Sequence, residues 1–228
     1  MGGIFHFPEN ISTFGTEIDS LFNVILILTG ITFVLVEATL VFFIFKYRGR
    51  PGKKAYYTHG NSKLEIFWTS ATAVVVLALG IVSWPLWLKI KDPARFPAPQ
   101  LELGIMVKQF EWNVTYPGAD GRLGTPDDFT KRNQLHIPVN AVVVATLQSE
   151  DVIHSFFLPN FRLKQDAVPG MKIPVWFSAT KTGSYQIACA ELCGLGHYRM
   201  KGAVTVHTAE EFNNWQAQQA STAAAGGN

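Results

Sequence analysis

The sequence predicts two antiparallel membrane-spanning helices, then an all-β sandwich closed by a short C-terminal helix. Three observations predict it: two long apolar runs near the N-terminus, a change after Pro93 to short β-rich runs, and a helix-start motif at Thr208–Glu211.

The first apolar run, Leu21–Phe45, is 25 residues long and holds one charge, Glu37. The second, Ile66–Leu88, is 23 residues long with none. About 20 apolar residues suffice to cross a bilayer as a helix, so each run is long enough. A cleaved signal peptide is a poorer reading of the first run, because its apolar stretch is too long, no basic segment precedes it and no small-residue cleavage site follows. Two buried helices of a soluble core are the remaining alternative. Six of the 19 basic residues lie in the intervening loop (Lys46, Arg48, Arg50, Lys53, Lys54 and Lys63), with no acid among them. Basic loops stay on the cytoplasmic side, which puts both termini outside. Trp68, Trp84 and Trp87 sit near the ends of the second run, where amphipathic rings prefer the interface. Glu37 is expensive within a span and is read as bonding a neighbouring helix rather than serving a proton path.

From Lys91 onward the chain carries 12 basic and 12 acidic residues, so no basic stripe exists for a nucleic acid. The runs Leu101–Tyr116, Ala141–Gln148, Lys172–Ala179, Gly183–Ala190 and Gly202–His207 are rich in β-branched and aromatic residues and separated by Gly, Pro and Asn. That pattern reads as a small antiparallel sandwich or barrel. Thr208-x-x-Glu211 is a capping box opening a last helix. The expected organisation is an N-terminal extracytoplasmic arm (1–20), a helical hairpin (21–90), the β domain (91–219) and a disordered tail (220–228).

The chemistry is concentrated in Cys189-Ala-Glu-Leu-Cys193-Gly-Leu-Gly-His197-Tyr-Arg-Met200, with His154 upstream. Thiolate, imidazole and thioether together favour a soft metal, copper above all. Calcium and magnesium prefer oxygen. Structural zinc has no use for the methionine. Two bridging thiolates could hold two copper ions, each completed by one imidazole and one weaker ligand, the Met200 sulfur or a carbonyl such as that of Glu191. The competing reading is a Cys189–Cys193 disulfide, which the extracytoplasmic side permits. His6 and His59 fall in exposed arms, His136 and His207 beside strands with no partner pattern, and all four are read as structural. The segment Gly118–Asp128, with Asp120, Asp127 and Asp128, reads as a polar hairpin turn, since the ligand spacing of an EF-hand is missing.

Ser149–Met200, with SEDVIHSFFLPNFRLKQDAVPG and CAELCGLGHYRM, resembles the dinuclear-copper domain of cytochrome c oxidase subunit II. The resemblance covers nearly the whole chain: two spans, a cupredoxin-like sandwich and the cysteine loop. It implies copper ligation by His154, Cys189, Cys193, His197, Met200 and the Glu191 carbonyl, and a magnesium ion on the Glu191 carboxylate at the border with subunit I. It implies that Glu65, in Leu64-Glu65-Ile66-Phe67-Trp68, lies at the cytoplasmic mouth of a proton channel; a solvated acid at a helix start is the other reading. Where the family commonly has Gln-Trp-aromatic-Trp, this chain has Gln109-Phe110-Glu111-Trp112, so Phe110 stands in place of the aromatic at which electrons arrive. Glu150 and Asp151 match acids that the family turns towards cytochrome c.

The resemblance further implies an electron relay from cytochrome c through the copper pair to a haem in subunit I, where oxygen is reduced and most protons are pumped. The donor is expected to be a separate protein, cytochrome c or a membrane-bound cytochrome c, as no cytochrome domain follows Val206. The expected location is a bacterial inner membrane in preference to a mitochondrial one. A quinol-oxidase subunit would lack the copper ligands, and a nitrous-oxide reductase would need a large second domain. A membrane-tethered copper carrier or redox sensor would use the same soft ligands for exchange.

Overall fold

The computed structural model describes residues 7–226. The chain divides into two units: the helical segment Glu17–Trp87, and a β unit made of Leu88–Asn228 with the N-terminal stretch up to Thr16.

The helical unit is drawn from two helices, α1 at Gly15–Lys46 and α2 at Ser62–Lys91, each continuing beyond the apolar run that predicted it. Their mean hydropathies are 2.5 and 2.1, and their apolar side chains are exposed, as suits helices solvated by lipid. Asn61 caps α2, its Oδ1 accepting from the N–H groups of Lys63 and Leu64 at 3.1 and 3.2 Å. Glu65 follows in the first turn, where a carboxylate faces the positive end of the helix dipole. Helix α1 begins at Gly15, within the segment expected to be an arm, and Glu17 occupies its first turn.

The β unit has ten strands: β1 Leu101–Lys108, β2 Glu111–Tyr116, β3 Phe129–Arg132, β4 Gln134–Pro138, β5 Val143–Ser149, β6 His154–Leu158, β7 Leu163–Ala167, β8 Ile173–Phe177, β9 Gly183–Cys189 and β10 Lys201–His207. They form two five-stranded sheets, ordered β3-β2-β1-β5-β8 and β4-β10-β9-β6-β7. The run Leu101–Tyr116 is two strands, because Gln109 and Phe110 turn the chain back on itself and Val107 pairs with Trp112. The sandwich is mixed where the sequence suggested antiparallel pairing: β1 runs parallel to β5, and β4 parallel to β10. Alternate residues of β1 and β5 are buried, the period-two signature of strands with one face on a core. Trp112 of β2 meets Phe156 of β6 edge-on at 5.6 Å, joining the sheets through the core.

The N-terminal arm belongs to this core. Ile11 and Phe14 are fully buried. The Ile11 N–H donates to the Asn160 carbonyl at 3.0 Å, and its carbonyl accepts from the Thr180 N–H at 2.7 Å. Phe14 packs edge-on against Trp176 at 5.2 Å, while the Trp176 indole donates to the Lys89 carbonyl at 2.9 Å.

Helix α3 spans Ala209–Gly226 behind the expected box: the Thr208 N–H donates to Glu211 Oε2 and the Glu211 N–H to Thr208 Oγ1. It continues through the alanines after Ala220, where the sequence suggested disorder; alanine is the strongest helix former, so the low-complexity run prolongs the helix. Residues 227 and 228, like His6, lie outside the described residues. Trp215 of α3 stacks on His136 at 4.2 Å, and His136 Nδ1 lies 2.8 Å from His207 Nε2. Both histidines thus have structural partners, with burial pushing the His136 pKa down to about 4.

Candidate metal centre

Strands β6, β9 and β10 are neighbours in one sheet, and the centre is built where they end. Cys189 is the last residue of β9, paired with Phe156 of β6, which puts it beside His154 at the start of β6. The chain then loops through Cys193 and a helical turn at His197–Arg199 before Met200 leads into β10. The Cys189 N–H donates to the Met200 carbonyl at 3.3 Å and the Ala190 N–H to the Ser155 carbonyl at 3.1 Å, closing the loop at its base.

Six donor groups converge. Cys189 Sγ lies 3.8 Å from Cys193 Sγ, 4.0 Å from His154 Nδ1 and 3.2 Å from the Glu191 carbonyl oxygen. Cys193 Sγ lies 3.6 Å from His197 Nδ1 and 3.7 Å from Met200 Sδ. Each sulfur therefore has its own imidazole and its own weak donor. Ligands bonded to one ion at about 2.0–2.3 Å stand roughly 3.5 Å from one another, so this set fits soft metal ions. Both cysteines are free, and their separation far exceeds the ~2.05 Å of a disulfide bond. His154, Cys193 and Met200 are buried. Burial, with Cys189 alongside, pushes the Cys193 thiol up to about 12, so a metal must displace protons to bind here.

Asp151 has a part that the sequence did not disclose. Its Oδ1 lies 2.8 Å from His154 Nε2, and its Oδ2 accepts from the Gln109 N–H at 2.7 Å. A carboxylate on one imidazole nitrogen fixes the tautomer and leaves the other nitrogen free as a ligand. Some burial opposes ionisation of Asp151, but the Gln109 N–H, His154 and the Val152 N–H together hold its pKa below the usual carboxylate range. The signal was the three-residue spacing to His154, which reads equally well as an exposed acid.

The other expected residues fall in different places. Phe110, half-buried, lies against the cysteine loop: a Cβ on Gly196 would come within 2.6 Å of its ring. Trp112 is fully buried in the sandwich, so it has no exposed edge to offer a donor. Glu150 is exposed, 3.9 Å from the Lys108 ammonium. Glu191 exposes its side chain beside the loop. Glu65 stands in the helical unit, at the start of α2. In Gly118–Asp128, Asp120, Asp127 and Asp128 accept from N–H groups of their own loop, as a polar turn requires.

The sequence matches the family described as cytochrome c oxidase subunit II, transmembrane domain, over residues 2–86, and the periplasmic domain of the same subunit over residues 112–207. The alternative cytochrome c oxidase subunit 2 of Bradyrhizobium diazoefficiens is 34% identical over 227 residues, covering 89% of this chain and 80% of the relative. The chain belongs to the cytochrome c oxidase subunit II family. Cytochrome c oxidase subunit 2 of Thermostichus vulcanus is 31% identical, with 96% of this chain and 80% of that one covered. Among solved structures, the periplasmic domain of subunit II of cytochrome oxidase from Bradyrhizobium japonicum aligns with a TM-score of 0.49 and 32% identity, over 55% of this chain and 97% of that one. As a subunit II, the chain is a membrane protein of an oxidoreductase complex.

Proposed function

We propose that this subunit II is the electron-input subunit of a respiratory haem–copper oxidase, accepting electrons from cytochrome c at a dinuclear copper centre and passing them to haem in subunit I. The observation that carries the reading is the paired donor set: two free thiols 3.8 Å apart, each with its own imidazole and weak donor. Cys189, Cys193, His154, His197, Met200 and the Glu191 carbonyl would together hold the two ions. When bound, the copper pair supplies a one-electron carrier shared between two metals. The chain's own contribution is a rigid cage: β6 and β9 hold His154 and Cys189 in register, Asp151 orients the His154 ring, and burial of Cys193 and Met200 keeps water away.

Phe110, packed on the loop and half-exposed, is the aromatic through which a donor haem would approach, with Glu150 on the same edge for a basic donor. The exposed Glu191 carboxylate is the proposed magnesium ligand at the border with subunit I, and Glu65 the proposed acid at the cytoplasmic mouth of a proton channel. The six basic residues from Lys46 to Lys63 support a cytoplasmic side for the turn between the helices, with the copper domain outside, in a bacterial inner membrane.

Rapid mixing of reduced cytochrome c with the assembled oxidase tests the relay. The near-infrared copper band should bleach before haem is reduced, and Cys193→Ser should abolish both events. Haem reduction at an unchanged rate in Cys193→Ser would overturn the proposal.

A further inference from the structure

Gln109 touches both halves of the centre, although it comes from the opposite sheet. It sits in the turn between β1 and β2, whereas the donor groups hang from β6, β9 and β10. Its backbone N–H donates to Asp151 Oδ2 at 2.7 Å, and Asp151 in turn holds His154. Its side-chain amide donates to the Cys193 carbonyl at 2.6 Å. One residue thus joins the histidine that opens β6 to the cysteine at the middle of the loop.

The loop is shaped to admit this contact. Gly194 has φ +122°, a conformation that L side chains rarely adopt, and a Cβ there would fall 2.6 Å from Gln109 Nε2. The glycine lets the amide reach the neighbouring carbonyl. Gly196 does the same for the adjacent Phe110 ring. A glycine on either side of Leu195 therefore leaves room for two consecutive residues of the β1–β2 turn.

We propose that Gln109 is a positioning residue, a clamp whose amide holds the Cys193 segment of the loop against the Asp151–His154 pair, so that the two sulfurs keep their spacing when the metal is absent as well as when it is bound. In its metal-bound part the proposal rests on the copper reading above. The clamp itself is a property of the chain. It predicts that the loop is held before loading, which lowers the ordering that metal uptake must impose.

Gln109→Met keeps the length of the side chain and loses the donor; Gln109→Glu keeps the shape and, ionised, cannot donate. Both are made in the full-length chain in detergent, with folding checked by the thermal transition. In the reduced, copper-free chain, Cys193 alkylation by iodoacetamide is followed by peptide mass. Loss of one hydrogen bond should speed it roughly two- to tenfold in both variants. In the copper-loaded chain, the same variants should lose copper to a chelator faster by a similar factor and show an altered hyperfine pattern. Wild-type alkylation rates in both variants would overturn the clamp. Faster alkylation in a chain whose wild type takes up no copper would uphold the clamp and defeat the copper reading.

Discussion

Asp151 Oδ1 lies 2.8 Å from Nε2 of His154, and the other nitrogen of that ring, Nδ1, faces Cys189 Sγ at 4.0 Å. The imidazole is thereby aimed before any metal arrives. Asp151→Asn keeps the shape but cannot fix the same tautomer. Removing such a carboxylate partner typically costs about 10- to 100-fold in metal affinity. Copper competition against a chelator measures it; unchanged affinity would show that Asp151 does not position His154 for the metal.

The Phe110 ring occupies the space that a side chain on Gly196 would need. Gly196→Ala should therefore push the ring off the loop, at a cost of about 1–3 kcal/mol as in other overpacked sites. Denaturant unfolding of the full chain reads the stability change. Electron uptake from reduced cytochrome c should slow in the same variant. A neutral substitution would show that Phe110 is free to move.

Ile11 and Phe14 are buried in the β unit although they precede the first span. Phe14→Ala should destabilise that unit by about 3–5 kcal/mol, the usual cost of truncating a buried phenylalanine. A fragment beginning at Lys91 lacks both residues and should melt below the full-length chain. Equal midpoints would show that the arm adds no stability.

Acid should loosen the docking of α3. His136 has its pKa pushed down from 6.5 to about 4 by burial, with His207 and Lys131 adding to the effect. His207 is lowered too, again by burial. A histidine that resists protonation in the folded state costs stability wherever the unfolded chain takes up the proton. The melting midpoint should therefore fall as pH drops from 6.5 towards 4, and stay level above 6.5 as far as these groups are concerned. His136→Gln should flatten that slope. An unchanged slope would place the acid sensitivity elsewhere.

The two spans were legible because a bilayer imposes a length on apolar runs, and α3 because a capping box is local. The clustering of soft donor groups was legible because sulfur and imidazole stand close together in the Cys189–Met200 segment. The strands β3, β4, β6 and β7 were not read, being four or five residues long with polar positions among the apolar ones. The parallel pairings β1–β5 and β4–β10 were hidden for another reason: strand order depends on long-range contacts that no local pattern encodes. The same holds for Asp151 and Gln109, whose roles arise where the β1–β2 turn meets the cysteine loop. Phe14 was placed in an arm because nothing local says that it will find Trp176.

The proposed electron carrier is a copper pair held by Cys189, Cys193, His154 and His197. Copper-to-protein ratio and the electron-spin spectrum of the full-length chain, loaded in detergent, test it most directly. Two coppers per chain, with more hyperfine lines than one nucleus can give, is the predicted result. One copper with a single-nucleus pattern, or no copper and a closed disulfide, would contradict it.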